Sequence, residues 1–258
     1  MKVQLLPSSI EYDGSISLRQ HLTCVVIDDR VAFDAGSLAF ACTETQRQQV
    51  RDIVLSHAHL DHIAGLPMFL DDLFASLTEP VRVHASREII DVLERDIFNW
   101  SVYPRFSELE NEHGAVMSYC RIESGVACTI GDLTVTTVEV NHNVPSSGFL
   151  VSDARSSVGL TGDTAETEAV WRLFSESQDL SAVLVECAFP DEMLELAKIS
   201  HHLTPAGLAR ELAKFDRHDV DVFVVNIKPM YREKVVREIG DLAIERVRIM
   251  EPGRIYDL

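Results

Sequence analysis

Cysteine is scarce and scattered. Cys24, Cys42, Cys120, Cys128 and Cys187 make an odd number with no Cys-x-x-Cys spacing, which excludes a disulfide framework and a thiolate structural zinc and leaves most of these thiols as small buried hydrophobes. Long apolar runs are missing too. No stretch approaches the ~18 apolar residues of a membrane span, and the segment from Met1 to Pro7 lacks the apolar core of a secretory signal, so a soluble, cytoplasmic protein is expected. Positive charge is in deficit: 23 Lys and Arg face 41 Asp and Glu, a net charge of −18. Such a surface repels phosphate-rich polymers unless a local basic patch overrides it, which argues against long nucleic acids and leaves a small anionic substrate admissible. Repeats, low-complexity tracts and linkers are absent as well. With 258 residues at 46% hydrophobic content, the chain can fill one large layered domain spanning 1–258.

What is present is concentrated chemistry. His57-Ala58-His59-Leu60-Asp61-His62 follows the apolar run Asp52-Ile53-Val54-Leu55. Three imidazoles and a carboxylate in six positions are costly to a fold unless a cation collects them, so the string reads as a metal site rather than a histidine-rich solvated turn. In extended backbone alternate residues face the same way. His57 and His59 can therefore grip one ion while Asp61 and His62, where the chain turns into a helix, reach another. Imidazole with carboxylate suits zinc first, and also manganese or iron.

After the string, Ile63, Leu66, Leu70, Leu73 and Leu77 recur at intervals of three and four. That stripe predicts a helix over 62–77, with Pro67 early enough to be tolerated, and puts the string at the C-terminal end of a strand. Val31 to Phe33, ending in Asp34-Ala35-Gly36, reads as a second such strand. Strands are expected in two series: at 22–27, 31–33, 53–55 and 81–84, then at 133–140, 148–151, 157–160, 182–186, 220–225 and 246–250. Further helices are expected near 86–98, 166–176, 205–215 and 231–239, the third of these started by a Thr204 cap and Pro205. The segment 97–114, with Phe98, Trp100, Tyr103, Pro104 and Phe106, breaks the pattern; it reads as a lid, a base-stacking wall, a dimer contact or an aromatic plug over a sheet edge.

His142 follows the alternating strand 134–140, and Asp163 follows 158–162; either alone would be an ordinary loop residue. In this order, after Asp34 and the six-residue string, the chain resembles the metallo-β-lactamase superfamily over nearly its whole length. The resemblance implies an α/β fold, a four-layer αβ/βα sandwich of two mixed sheets with helices outside, and a dinuclear site on one rim. It assigns His57, His59 and His142 to the first metal, Asp61 and His62 to the second, and Asp163 as the bridge. Asp34 would hold the ligand loop by hydrogen bonds. Within the superfamily, the stretches 56–66, 146–149, 162–164, 185–190 and 202–205, together with Ile97-Phe98-Asn99-Trp100, are similar to class II 3',5'-cyclic-nucleotide phosphodiesterases, relatives of ribonuclease Z. One departure matters. Where that family carries a last histidine ligand in a His-Ile-Lys-Pro context, this chain has Asn226-Ile227-Lys228-Pro229. A neutral amide oxygen is a weaker ligand, so the second cation would be held less tightly, or the site would work with one tightly bound metal.

The resemblance implies hydrolysis of a cyclic mononucleotide such as cAMP or cGMP to the nucleoside 5'-monophosphate, by hydroxide carried on the metals, with Asp61, Glu186 and His202 as the catalytic group. Glu186 would orient and charge His202, which protonates the departing ribose oxygen. Ser146, Ser147, Thr164 and Lys228 are candidate contacts to phosphate or ribose. A homodimer is implied by the resemblance alone. The alternatives are a ribonuclease Z-like RNA phosphodiesterase, a cyclic-nucleotide-binding protein weakened at Asn226, and a carboxyl-ester, lactone or thioester hydrolase.

Overall fold

Two patterns of burial divide the strands. Leu133–Glu139 alternates buried and open residues, whereas Leu180–Glu186 is buried almost throughout. The first pattern suits antiparallel strands with one wet face, the second parallel strands covered on both faces. The computed structural model describes residues 1–258 and sorts the chain accordingly. One sheet runs Ile255–Asp257, Lys2–Leu5, Val25–Ile27, Val31–Phe33, Asp52–Val54, Val81–Ala85, Met117–Arg121; neighbours among its first four strands are antiparallel and among its last four parallel. The other runs Ala127–Ile130, Leu133–Glu139, Ser147–Ser152, Ser157–Leu160, Leu180–Glu186, Asp221–Val225, Val247–Ile249, again antiparallel and then parallel.

Three apolar layers hold the sandwich together. Between the sheets, Phe33 meets Phe149 edge-on with ring centroids 5.3 Å apart, among Val3, Ile27, Val135, Val158 and Leu184. Outside the first sheet, Leu66, Phe69 and Leu70 pack with Ile53 and Val83. Outside the second, Val170, Trp171, Phe174 and Leu208 pack with Val183, Val185 and Val222. The result is the expected four-layer α/β sandwich of two mixed sheets. Short, partly exposed strands such as Lys2–Leu5, Ala127–Ile130 and Ile255–Asp257, and the helix Leu194–Ser200, carry too little periodicity to be anticipated.

The helix expected over 62–77 is interrupted, and the interruption shapes the site. It forms as Leu60–Ile63 and Gly65–Leu73. Pro67 has no N–H for the Ile63 carbonyl. The carbonyls of Asp61 and His62 are diverted instead to the amides of Thr23, at 2.8 Å, and Ala35, at 2.7 Å, while Gly65 N donates to Ala35 O at 3.0 Å. The histidine string is thereby fastened to the Asp34–Gly36 turn. Contact there is so close that a Cβ on Gly36 would lie 1.9 Å from the Asp61 carbonyl oxygen.

Segment 97–114 follows a π-helical turn, Leu93–Ile97. Phe98 and Phe106 are buried in the core outside the first sheet and meet edge-on at 6.0 Å, and Tyr103 stacks on Phe106. Of its large apolar residues, Trp100 and Val102 stand out at the tip, about 60% exposed (58% and 62%). The base of the segment is an aromatic plug.

Candidate metal centre

Asp34 and Asn226 directly follow the last residue of a parallel strand, Ser56 and Asp163 come two and three residues past the end of one, and Glu186 ends one, so they meet at the rim where ligands gather in α/β sheets. Backbone geometry turns each of three strand ends sharply. Asp34, Gly162 and Asn226 have φ of 58°, 62° and 52°, a left-handed conformation that Asp, Asn and above all Gly tolerate. At Gly162 a Cβ would also come within 2.7 Å of the Ser147 carbonyl.

From these ends the imidazoles converge. Asp34 Oδ1 accepts the Ser56 N–H at 2.8 Å, Ser56 Oγ donates to Asp34 Oδ2 at 2.8 Å, and His62 Nδ1–H donates to the same Oδ2 at 2.7 Å. Since Ser56 Oγ gives its proton to Asp34, it accepts from His57 Nδ1–H, 2.9 Å away. His142 Nδ1–H donates to the His201 carbonyl at 3.1 Å, a carbonyl set in place by the left-handed turn at His201, φ 54°. Each of these rings is thus pinned by one nitrogen and presents the other, the arrangement metal-ligating histidines require.

The presented atoms fit cations. His57 Nε2 and His62 Nε2 are buried with no hydrogen-bond partner, a costly state for polar atoms unless a ligand completes them. His142 Nε2 lies 3.2 Å from His59 Nδ1, and His62 Nε2 lies 3.3 Å from Asp163 Oδ2. Two donors on one tetrahedral zinc at ~2.0–2.1 Å stand about 3.3 Å apart. Ligand-capable atoms gather within 4.8 Å in three groups: His57, His59 and His142; His57, His62 and Asp163; His142, Asp163 and His202. Charge follows geometry. Burial pushes His57 well down, His59 down and His142 down to about 4, so all three offer neutral rings. Burial works against the charge on Asp163, but His62, by charge and hydrogen bond, outweighs that and with His202 holds its carboxyl well below the usual range.

Beside this cluster, His202 Nδ1–H donates to Glu186 Oε1 at 2.7 Å. Glu186 is fully buried, and its other bonds come from the amides of Thr164, Ala188 and Leu203. Burial raises the Glu186 carboxyl; it opposes charge on His202 as well, yet Glu186 and Asp163 together raise that imidazole.

Some expected residues sit elsewhere or act otherwise. Asp61 stands outside the three groups; its carboxylate pairs with Lys228 Nζ at 3.0 Å on the half-open rim. Asn226 reaches the cluster, but beside an ionised carboxylate its amide donates, Nδ2 to Asp163 Oδ1 at 2.6 Å, instead of offering its oxygen to a cation. Thr164 is buried with its hydroxyl engaged, donating to Ala165 O at 2.8 Å and accepting from Asn141 N at 3.1 Å. It builds the loop instead of facing a ligand. Ser146 Oγ is buried without a partner, and Ser147 N donates to Ser56 O. Ser56 went unread in the sequence because serine before a histidine string has no distinctive spacing.

The comparisons with known proteins concern the family and the fold. A family model described as a beta-lactamase superfamily domain matches residues 25–222. A probable 3',5'-cyclic-nucleotide phosphodiesterase of Yersinia pestis is 27% identical over 241 residues, covering 80% of this chain and 68% of that protein. A nuclear ribonuclease Z of Triticum aestivum is 30% identical over 139 residues, 53% of this chain and 72% of that one. Among solved structures, unliganded yeast PDE1 superposes with a TM-score of 0.77 at 17% identity, covering 100% of this chain and 99% of its own. The short form of human tRNase Z gives 0.69 at 18% identity, over 100% and 99%. At such identities the structural likeness establishes a shared fold.

Proposed function

The chain belongs to the beta-lactamase superfamily and is a metal-dependent phosphodiesterase, and from that premise we propose that it opens 3',5'-cyclic mononucleotides, cAMP or cGMP, to nucleoside 5'-monophosphates. Relatives named as cyclic-nucleotide phosphodiesterases support the substrate class. His57, His59, His142 and Asp163 would hold one divalent cation, most simply zinc, with manganese or iron as the other metals this donor set suits. His62 and Asp163 would hold a second, more weakly, because Asn226 replaces a histidine with an amide and Asp61 would have to leave Lys228 to join them. When bound, such cations lower the pKa of water from ~15.7 toward ~7 and neutralise charge on phosphoryl oxygens.

The protein's own contribution is orientation and a proton. Asp34 and Ser56 fix His62 and His57 so that their free nitrogens point inward. Lys228 holds Asp61 at the rim. As water attacks phosphorus, the bond to the ribose O3' breaks and that oxygen needs a proton. His202, charged beside Glu186, would supply it from Nε2, while the bond from its Nδ1–H to Glu186 fixes the orientation of the ring. The observation that carries this reading is the 2.7 Å bond between His202 Nδ1 and buried Glu186, next to Asp163.

A ribonuclease Z-like activity is the second reading, favoured by the wheat relative and opposed by the net charge of −18. Side-by-side assay of the metal-loaded protein on cAMP, cGMP and a tRNA precursor separates them. The account expects turnover of the cyclic nucleotides; cleavage confined to the tRNA precursor overturns it.

A further inference from the structure

A cleft of about 310 Å³ borders the histidine cluster at His59, and the chemistry above leaves it unused. Ala58 and His59 form part of its lining, so a group seated there is adjacent to a ring of the histidine cluster. Ile89 and Val92 line it from the helix that begins at Arg87, and Val144 and Pro145 line it from the loop after His142. Apolar walls from two separate elements suit a flat ring. Two charged, exposed side chains share the lining: Glu88, on the helix that carries Ile89 and Val92, and Arg95, on the π-helical turn Leu93–Ile97 that follows it.

We propose that this cleft seats the base of the nucleotide and that Glu88 and Arg95 make it selective for guanine; the proposal rests on the cyclic-nucleotide reading and deepens it. Guanine shows two donors, N1–H and N2–H₂, to a carboxylate, and two acceptors, O6 and N7, to a guanidinium. Adenine reverses the pattern. Its N6–H₂ meets Arg95 as a second donor, and its N1 lone pair meets the carboxylate as a second acceptor. Arg95 is paired with its neighbour Asp96 through two hydrogen bonds, at 2.9 and 2.6 Å, but the pair is exposed, and exposed ion pairs are weak enough to yield to a base.

The test is kcat/KM of the metal-loaded protein for cGMP and cAMP, each normalised to turnover of bis(4-nitrophenyl) phosphate, which has no base. Wild type favours cGMP, and Glu88→Ala lowers that preference roughly 10- to 100-fold, the range of one charge-assisted hydrogen-bond pair. Glu88→Gln, whose amide pairs a donor and an acceptor as adenine does, moves the preference toward cAMP. A cGMP to cAMP ratio unchanged by both substitutions overturns the proposal. Should neither cyclic nucleotide be turned over while the base-free ester is, the cyclic-nucleotide reading fails by itself, and calorimetry with GMP and AMP decides the seat. Tighter GMP binding that Glu88→Gln reverses sustains it; equal binding of the two removes it.

Discussion

At the scale of single residues, the site depends on groups that touch no substrate. Asp34 accepts from Ser56 and His62, and through Ser56 it sets His57. Asp34→Ala should therefore weaken metal binding roughly 10- to 100-fold, as loss of such supporting partners does, read by titration of the metal-stripped protein with zinc. Affinity equal to wild type would show that the histidines orient themselves. Another buried carboxylate, Asp52, opens the strand Asp52–Val54 that leads to the string, away from the histidine cluster. Arg82 grips it with two bonds of 2.7 Å and His84 adds one of 2.8 Å. Burial opposes the charge on Asp52, but these partners prevail and hold its carboxyl down from the ordinary 3.8 to about 2. Because the folded value is the lower one, this stabilisation is complete above the unfolded value and is lost as pH falls through the folded one. Asp52→Asn should lose about 2 kcal/mol at neutral pH, with the gap from wild type closing between about pH 4 and pH 2. Urea titrations across that window check it; a constant gap would assign the loss to packing.

At the scale of elements, the sequence was most legible where burial has a period. The strands Val31–Phe33 and Ser157–Leu160 stand as expected, and the helix from Pro205 starts on its Thr204 cap. It was least legible where backbone groups bond outside their own element. The helix after the histidine string carries an unbroken apolar stripe, yet its ladder breaks because Asp61 and His62 carbonyls bond Thr23 and Ala35, which no periodicity reports. The aromatic segment 97–114 offered several readings because composition cannot separate buried rings from exposed ones. Packing can: Phe98 and Phe106 are buried, Trp100 is exposed. Phe98→Ala or Phe106→Ala should cost about 3–5 kcal/mol in denaturant unfolding, and Trp100→Ala within about 0.5 kcal/mol. Equal losses at all three positions would contradict the plug.

At the scale of the molecule, the candidate ligands come from both sheets. His57, His59 and His62 belong to the first, His142 and Asp163 to the second, and distances of 3.2–3.9 Å join them across the rim. Their order along the chain was readable, since each follows an apolar strand. Their partners were not: the pairing of Lys228 with Asp61, and the amide of Asn226 donating to Asp163, depend on side-chain directions that spacing does not encode. The central claim is that this convergence hydrolyses a cyclic phosphodiester with bound cations. Phosphorus NMR of a cyclic nucleotide incubated with the protein before chelation, after it and after metal return tests that claim directly. The account predicts nucleoside 5'-monophosphate as product, formation stopped by the chelator and restored by zinc or manganese. A 3'-monophosphate product, or turnover indifferent to the chelator, would contradict it.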